Sequence, residues 1–328
     1  MLRLGVIGTN WITDRFLDAA HQTGELQLTA VYSRTEEKAK QFAKKYEVDT
    51  TFTQLSDFFK SDAFDAVYIA SPTALHATQA IQAMEHKKHV LVEKPMASNV
   101  REAEKMFAVA EKEGVVLMEA MKTTHLPNFD LVKDLIEEIK PVRRVIANFC
   151  QYSSRYDRYK EGEVLNAFKP ELSNGSLMDI GIYTIYPIIK LFGQPKEIQA
   201  SAMMLDTGVD GSGTVLLSYD ELEANMIFSK ITNSALPSEI QGENGSIVID
   251  KWSDMSGIHL VDKEGHKEER SLEQLTNSMG YEARHFAELI KTGQTESDIN
   301  TFNTSLETMK VLDEARRQIG VVYPADEK

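Results

Sequence analysis

Across roughly the first 120 positions, short apolar runs alternate with longer amphipathic stretches in a strict order. The run over 2–7 has strand length and character, and after it Trp11, Ile12, Phe16, Leu17 and Ala20 recur at helical spacing. The order continues with a strand over 28–32, a charged helix through Lys38, Phe42 and Tyr46, a strand over 66–70 and a helix over 74–84. Strands over 90–92 and 115–118 enclose a helix over 99–112, whose start is marked by Asn99 followed by Glu102, a capping-box pair. Strands and helices alternating at these lengths predict parallel βαβ units.

Beyond residue 119 the pattern changes. Strand-like runs over 144–149, 199–203, 214–219, 223–228, 238–241 and 246–249 follow one another without intervening helical patterns. Polar connections at 206–213 and 243–245 read as hairpin loops. Helices over 281–292 and 304–319 close the chain. The fold class that follows is α/β. An N-terminal Rossmann domain with a doubly wound parallel sheet occupies 1–120, and a C-terminal α+β domain with an open, mostly antiparallel sheet occupies 121–328.

Composition narrows the class. The 328 residues suffice for two cores, and 42% apolar with 26% charged is the mix of a folded protein. A formal net charge of −14 argues against nucleic acid as a partner. No apolar run approaches the ~20 residues that cross a bilayer, and the N-terminus enters a strand without a leader pattern. Cys150 is the one cysteine, which fits a reducing compartment; its apolar setting reads as core packing in preference to a catalytic thiol. A cytoplasmic location is expected, with no metal site.

The first strand runs into Gly8-Thr9-Asn10-Trp11-Ile12 and then a helix, where a dinucleotide fold places its pyrophosphate. Only Gly8 matches the glycine pattern cleanly; Asn10 stands at the second glycine position, and asparagine tolerates positive φ. A ligand-free turn explains these residues equally well, and the βαβ context favours the dinucleotide. The second strand ends Tyr32-Ser33-Arg34-Thr35, with Lys38 one turn on. No carboxylate is placed to accept from a ribose 2′-hydroxyl, while Ser33 and Arg34 suit a 2′-phosphate. The cofactor expected is NADP, with NAD as the alternative; the plain reading of Arg34 is a solvated cation.

Three segments go further: Ala70-Ser71-Pro72-Thr73-Ala74-Leu75-His76, Val92-Glu93-Lys94-Pro95 and Gly175-Ser176-Leu177-Met178-Asp179-Ile180-Gly181-Ile182-Tyr183. Together, on a Rossmann start, they resemble the glucose–fructose oxidoreductase/inositol dehydrogenase/rhizopine-catabolism (Gfo/Idh/MocA) family over nearly the whole chain. The tyrosine at 183 is similar to the branch holding glucose–fructose oxidoreductase, dimeric dihydrodiol dehydrogenase and NADP-dependent xylose dehydrogenase. The resemblance implies an NAD(P)-dependent oxidoreductase moving a hydride between nicotinamide and a sugar, polyol or related hydroxy or carbonyl compound. It implies Lys94 as the catalytic lysine, Tyr183 as acid/base and Asp179 orienting the substrate. Ser71, Pro72, Thr73, Leu75, His76, Glu93, Lys94 and Met121 would join 8–12, Ser33, Arg34 and Lys38 around the cofactor. One face of the second sheet would carry the substrate and the other a subunit contact, giving a homodimer or homotetramer.

The chemistry is coherent without the resemblance. Moving a hydride from a carbinol carbon needs a group to take the hydroxyl proton. A tyrosine titrates near ~10, but an ammonium ~4 Å away contributes on the order of 4 kcal/mol at an effective dielectric of ~20. That equals roughly three pKa units. The bland alternatives are a surface lysine at 94, a core aromatic at 183 and a helix N-cap at 179. Lys122, His125, Arg155, Tyr156 and Tyr281 are candidates for holding substrate, against a plain reading as solvated loop or helix-end residues. Competing functions are a non-catalytic dinucleotide-binding regulator and a redox-neutral, NAD-retaining glycoside hydrolase.

Overall fold

The alternating first part folds as β1 (Leu2–Ile7), α1 (Trp11–Thr23), β2 (Leu26–Tyr32), α2 (Glu36–Lys44), β3 (Thr51–Phe52), α3 (Leu55–Lys60), β4 (Ala66–Ile69), α4 (His76–Glu85), β5 (His89–Glu93), α5 (Val100–Glu113) and β6 (Leu117–Ala120). This computed structural model describes residues 1–327. The strands form one sheet in the order β3-β2-β1-β4-β5-β6, every pair parallel. Every residue of β4 is buried, as is all of β5 after His89, which is why these strands read as continuous apolar runs. Strand order reverses between β1 and β4, and the crevice at that switch point is where such sheets take ligands. The capping box at α5 is shifted by one residue: the Asn99 side chain accepts from the Glu102 N–H, while the Glu102 carboxylate accepts from Ser98.

The later part holds α6 (Pro127–Ile139), β7 (Val142–Cys150), α7 (Ser154–Lys160), α8 (Ile182–Phe192), β8 (Glu197–Met204), β9 (Asp210–Ser218), β10 (Glu223–Ser229), β11 (Ser238–Gly242), β12 (Gly245–Lys251), β13 (Ser256–Val261), β14 (Lys267–Glu269), α9 (Met279–Thr292) and α10 (Phe302–Ile319). Its sheet runs β14-β13-β12-β11-β7-β10-β9-β8, antiparallel except for β7 beside β10. Register places Ile247, Ile240, Val145, Ala224 and Leu217 in one row, all fully buried. The adjoining row through Val248, Glu239, Ile146, Asn225 and Leu216 is only half-buried, so the sheet has one core face and one open face.

Two compact units result, and their membership is not a single cut. The first comprises Met1–Lys122 with Leu275–Phe302, the second Thr123–Gln274 with Asn303–Lys328. The sequence boundary at 120 lies two residues from the structural one, but α9 sits with the first unit. Ala283, Phe286, Ala287 and Leu289 of α9 share a core cluster with Phe16, Leu17 and Ala20 of α1, and that burial draws the segment back. The strand-only expectation after residue 119 is corrected by α6, α7 and α8. Phe129, Val132, Leu135, Ile136 and Ile139 of α6 do recur at helical spacing. Likewise, 210–213 is not hairpin loop but the start of β9. Among the described residues, no helix is long and apolar enough to cross a membrane.

Candidate active site

In the first unit, the ends of β1, β2, β4 and β5 carry the expected cofactor residues. Gly8 has φ +104°, and a Cβ there would meet the Ala70 carbonyl oxygen at 2.6 Å, so the turn after β1 can only be glycine. Asn10 departs from its expected role. Its φ is −110°, extended and not left-handed; it caps α1, its side-chain oxygen accepting from the N–H groups of Ile12 and Thr13. Its amide also donates to the Ala70 carbonyl at 3.0 Å, tying the two strand ends at the switch point. Thr9 lies between these two residues, and Trp11, 60% exposed, opens α1. Pairing of Ile7 with Tyr32 sets Ser33 beside this turn, buried, with Arg34 and Lys38 exposed next to it. A glycine cradle flanked by a hydroxyl and a guanidinium fits a dinucleotide whose ribose bears a phosphate.

After β4, the Ser71 hydroxyl donates to the Gln79 side chain at 2.6 Å. Pro72, Thr73 and Leu75 form the short turn into α4. His76 faces carbonyls on both sides, Ser71 at 2.8 Å and Pro95 at 2.9 Å, and is 1% exposed. The two carbonyls favour a charged ring, but burial outweighs them and pushes its pKa down to about 4. His76 thus packs between the turn after β4 and the turn after β5, where Lys94 sits half-buried, and as a neutral ring it donates to one of the two carbonyls. Glu93 is buried, accepting from the Tyr68 hydroxyl and the Lys94 N–H. Buried Met121 is held by Asn300, whose side-chain amide donates to the carbonyls of Glu119 and Met121. Lys122 reaches Ser278 at 3.5 Å, and the Tyr281 hydroxyl accepts from the Leu275 N–H.

Sequence reasoning passed over Glu282 on α9. It is fully buried, and neither carboxylate oxygen meets a hydrogen-bond donor among the described residues. Burial pushes its pKa well above the carboxylate range, and the negative charge of Glu93 acts in the same direction. The legible signal was an acid on the helix face that carries Met279, Ala283 and Phe286.

The second unit holds the other motif. Residues 177–181 form a π-helical turn that runs directly into α8, a geometry common at functional sites. From 175 to 189 only Asp179 and Tyr183 are partly exposed. Tyr183 meets Phe149 edge-on at 5.5 Å, and its backbone carbonyl accepts from the buried Trp252 indole at 2.9 Å. Asp210, beneath the same turn, accepts from the Leu177 N–H at 2.6 Å; burial pushes its pKa up to about 6. Lys230, absent from the sequence reading, ion-pairs with Asp179 at 2.7 Å. A lysine ending an apolar strand had been the clue. His125 is buried, Arg155 is exposed on α7, and Tyr156 stacks with Tyr159 at 5.7 Å and packs on Phe168 at 5.9 Å. Cys150 is half-buried, and burial pushes its thiol up, away from thiolate chemistry.

Comparison with known proteins decides the family. Residues 2–121 match the model described as "Oxidoreductase family, NAD-binding Rossmann fold", and residues 129–248 match "GFO/IDH/MocA C-terminal domain". The chain belongs to the Gfo/Idh/MocA oxidoreductase family. Within it, the chain is similar to scyllo-inositol 2-dehydrogenase (NADP(+)) IolU of Bacillus subtilis, with 54% identity over 100% of both chains. It is 30% identical to the trans-1,2-dihydrobenzene-1,2-diol dehydrogenase of Sus scrofa, over 99% of each. A solved 3-ketoreductase from Actinomadura kijaniata, in complex with NADP and TDP-benzene, superimposes with a TM-score of 0.86 at 26% identity, covering 97% of this chain and 98% of that one.

Proposed function

We propose that this protein is an NADP-dependent dehydrogenase that moves a hydride between nicotinamide and a secondary alcohol of a cyclic polyol or sugar. The observation that carries the reading is 54% identity along the whole chain with a relative named as an NADP+-dependent scyllo-inositol 2-dehydrogenase. Support for NADP over NAD comes from the end of β2, where Ser33 and Arg34 stand in place of an acid.

The coenzyme, when bound, supplies the acceptor or donor of the hydride. This chain's residues supply position and the proton. In oxidation, the substrate hydroxyl gives its proton to the Tyr183 phenolate as the carbinol hydride departs and a carbonyl forms. The Lys94 ammonium stabilises that phenolate, so the tyrosine can accept at lower pH than it could alone. Asp179 orients substrate hydroxyls, with Lys122, His125, Arg155, Tyr156 and Tyr281 as further substrate contacts. A cytosolic homo-oligomer joined through the open face of the eight-stranded sheet goes with the same reading.

The test is NADPH formation, followed at its absorbance band, with inositols, aldoses and dihydrodiols as substrates and NADP+ or NAD+ as acceptor. Turnover of an inositol or sugar with NADP+ is expected. Tight coenzyme binding with no turnover would instead favour a regulator. Glycoside cleavage without net NADPH formation would favour the redox-neutral hydrolase.

A further inference from the structure

Lys230 follows directly on β10, at a position where the side chain is 3% exposed. An ammonium there is costly unless its protons and its charge are both matched. The protons are matched by three oxygens: Asp179 Oδ2 at 2.7 Å, the Ala167 carbonyl at 3.3 Å and Asn174 Oδ1 at 3.3 Å. The Phe168 ring adds a cation–π contact at 5.4 Å. Asp179 brings a charge in direct contact, its side chain 37% exposed on the other side. The buried Asp210 carboxyl beneath the same turn also feels the ammonium, so the Asp179 carboxyl must be followed by its own signal.

Stability alone is a poor reason for such a pair, since a well-packed apolar pair of similar volume is often as stable or more so. What the pair does provide is a fixed carboxylate. Lys230 leaves a strand end, Asn174 and Ala167 tie it to the preceding loop, and Asp179 lies on the π-turn that leads into Tyr183. We propose that Lys230 is a positioning residue for the oxidoreductase reaction, holding Asp179 ionised and aimed from the turn before Tyr183. It acts through Asp179 and does not touch substrate. The inference rests on the reading of Asp179 as a site residue of a dehydrogenase.

The experiment compares wild type, K230M, K230R, D179N and K230M/D179N. In K230M, kcat/KM for the polyol falls 10–100-fold, about the loss expected when the partner that orients a working group is removed, while KM for NADP+ stays within about twofold. The acid limb of the kcat/KM–pH profile moves upward by about a unit or more, because a carboxylate that has lost its lysine neighbour is harder to ionise. K230R keeps the acid limb in place. Added to D179N, K230M costs nothing further, because the residue it positions is already disabled. If K230M alone folds poorly, D179N and K230M/D179N still compare directly, and a further loss in the double variant counts against the proposal.

Carbon-13 NMR of the Asp179 carboxyl, assigned with D179N, follows the same ionisation without turnover. If wild type oxidised no polyol or sugar, the dehydrogenase reading would fail while the carboxyl titration still decided the Lys230 claim. An Asp179 titration identical in K230M and wild type overturns the proposal. So does an undiminished K230M penalty in the D179N background.

Discussion

A Cβ on Gly8 would lie 2.6 Å from the carbonyl oxygen of Ala70, with φ at +104°, so the strand-to-helix turn after β1 closes onto the end of β4. The same carbonyl accepts from the Asn10 side chain, which makes Ala70 the point where both switch-point strands meet the N-terminus of α1. Gly8→Ala therefore carries a positive-φ cost of about 1–2 kcal/mol and a clash with backbone. Expected are a lowered melting temperature and at least a tenfold weaker NADPH affinity by fluorescence titration. Wild-type affinity in a stable Gly8→Ala protein would count against this turn as the pyrophosphate cradle.

Arg34 bears on cofactor choice. NADP+ is expected to exceed NAD+ in kcat/KM by about tenfold or more, equivalent to ~1.4 kcal/mol. Arg34→Asp removes the guanidinium and introduces an acid able to accept from a 2′-hydroxyl, so the preference is lost or inverted. Steady-state kinetics with both coenzymes check it, and a wild type that prefers NAD+ defeats the argument.

Tyr183→Phe is expected to cut kcat by about 10²–10⁴ with NADPH binding kept. The ring and its edge contact with Phe149 persist, and only the hydroxyl is lost. A merely packing tyrosine would leave turnover near wild type. Lys94→Ala should be at least as damaging, and Lys94→Arg should not restore activity, because a planar guanidinium does not replace a compact ammonium. Single-turnover and steady-state rates on the purified variants decide between the two roles.

Two buried groups give stability opposite slopes with pH. His76 titrates at about 4 in the folded chain, below its ordinary 6.5. Its contribution is therefore complete above pH ~6.5 and falls by on the order of 3 kcal/mol as pH drops toward 4. Glu282 is raised well above its ordinary value, so its contribution is complete below pH ~4.5 and declines as pH rises toward its folded pKa, by about 1.4 kcal/mol per pH unit. His76→Asn should flatten the acid side of a urea-midpoint profile between pH 4 and 6.5. Glu282→Gln should flatten the decline above pH 5. Parallel profiles for wild type and variants would show that these groups do not set the pH dependence.

Local pattern was enough for much of this protein. The apolar runs of β1, β2, β4, β5 and β6, the cap at Asn99 and the absence of an acid after Tyr32 are properties of neighbouring residues, and they were legible as spacing and residue type. So were the segments around Lys94 and Tyr183, whose motifs announce a family whatever they touch. Other features depended on partners far along the chain, which periodicity does not encode. Asn10 looked like a substitute glycine but is extended, because its side chain gains the α1 cap and the Ala70 carbonyl. His76 lies between the carbonyls of Ser71 and Pro95, two turns that only the fold brings to the same ring. Lys230 and Asp179 stand 51 residues apart in sequence, and only the fold brings the ammonium onto the carboxylate. The return of α9 to the first unit has the same origin: an amphipathic helix declares that it must bury a face, and tertiary packing decides against which core.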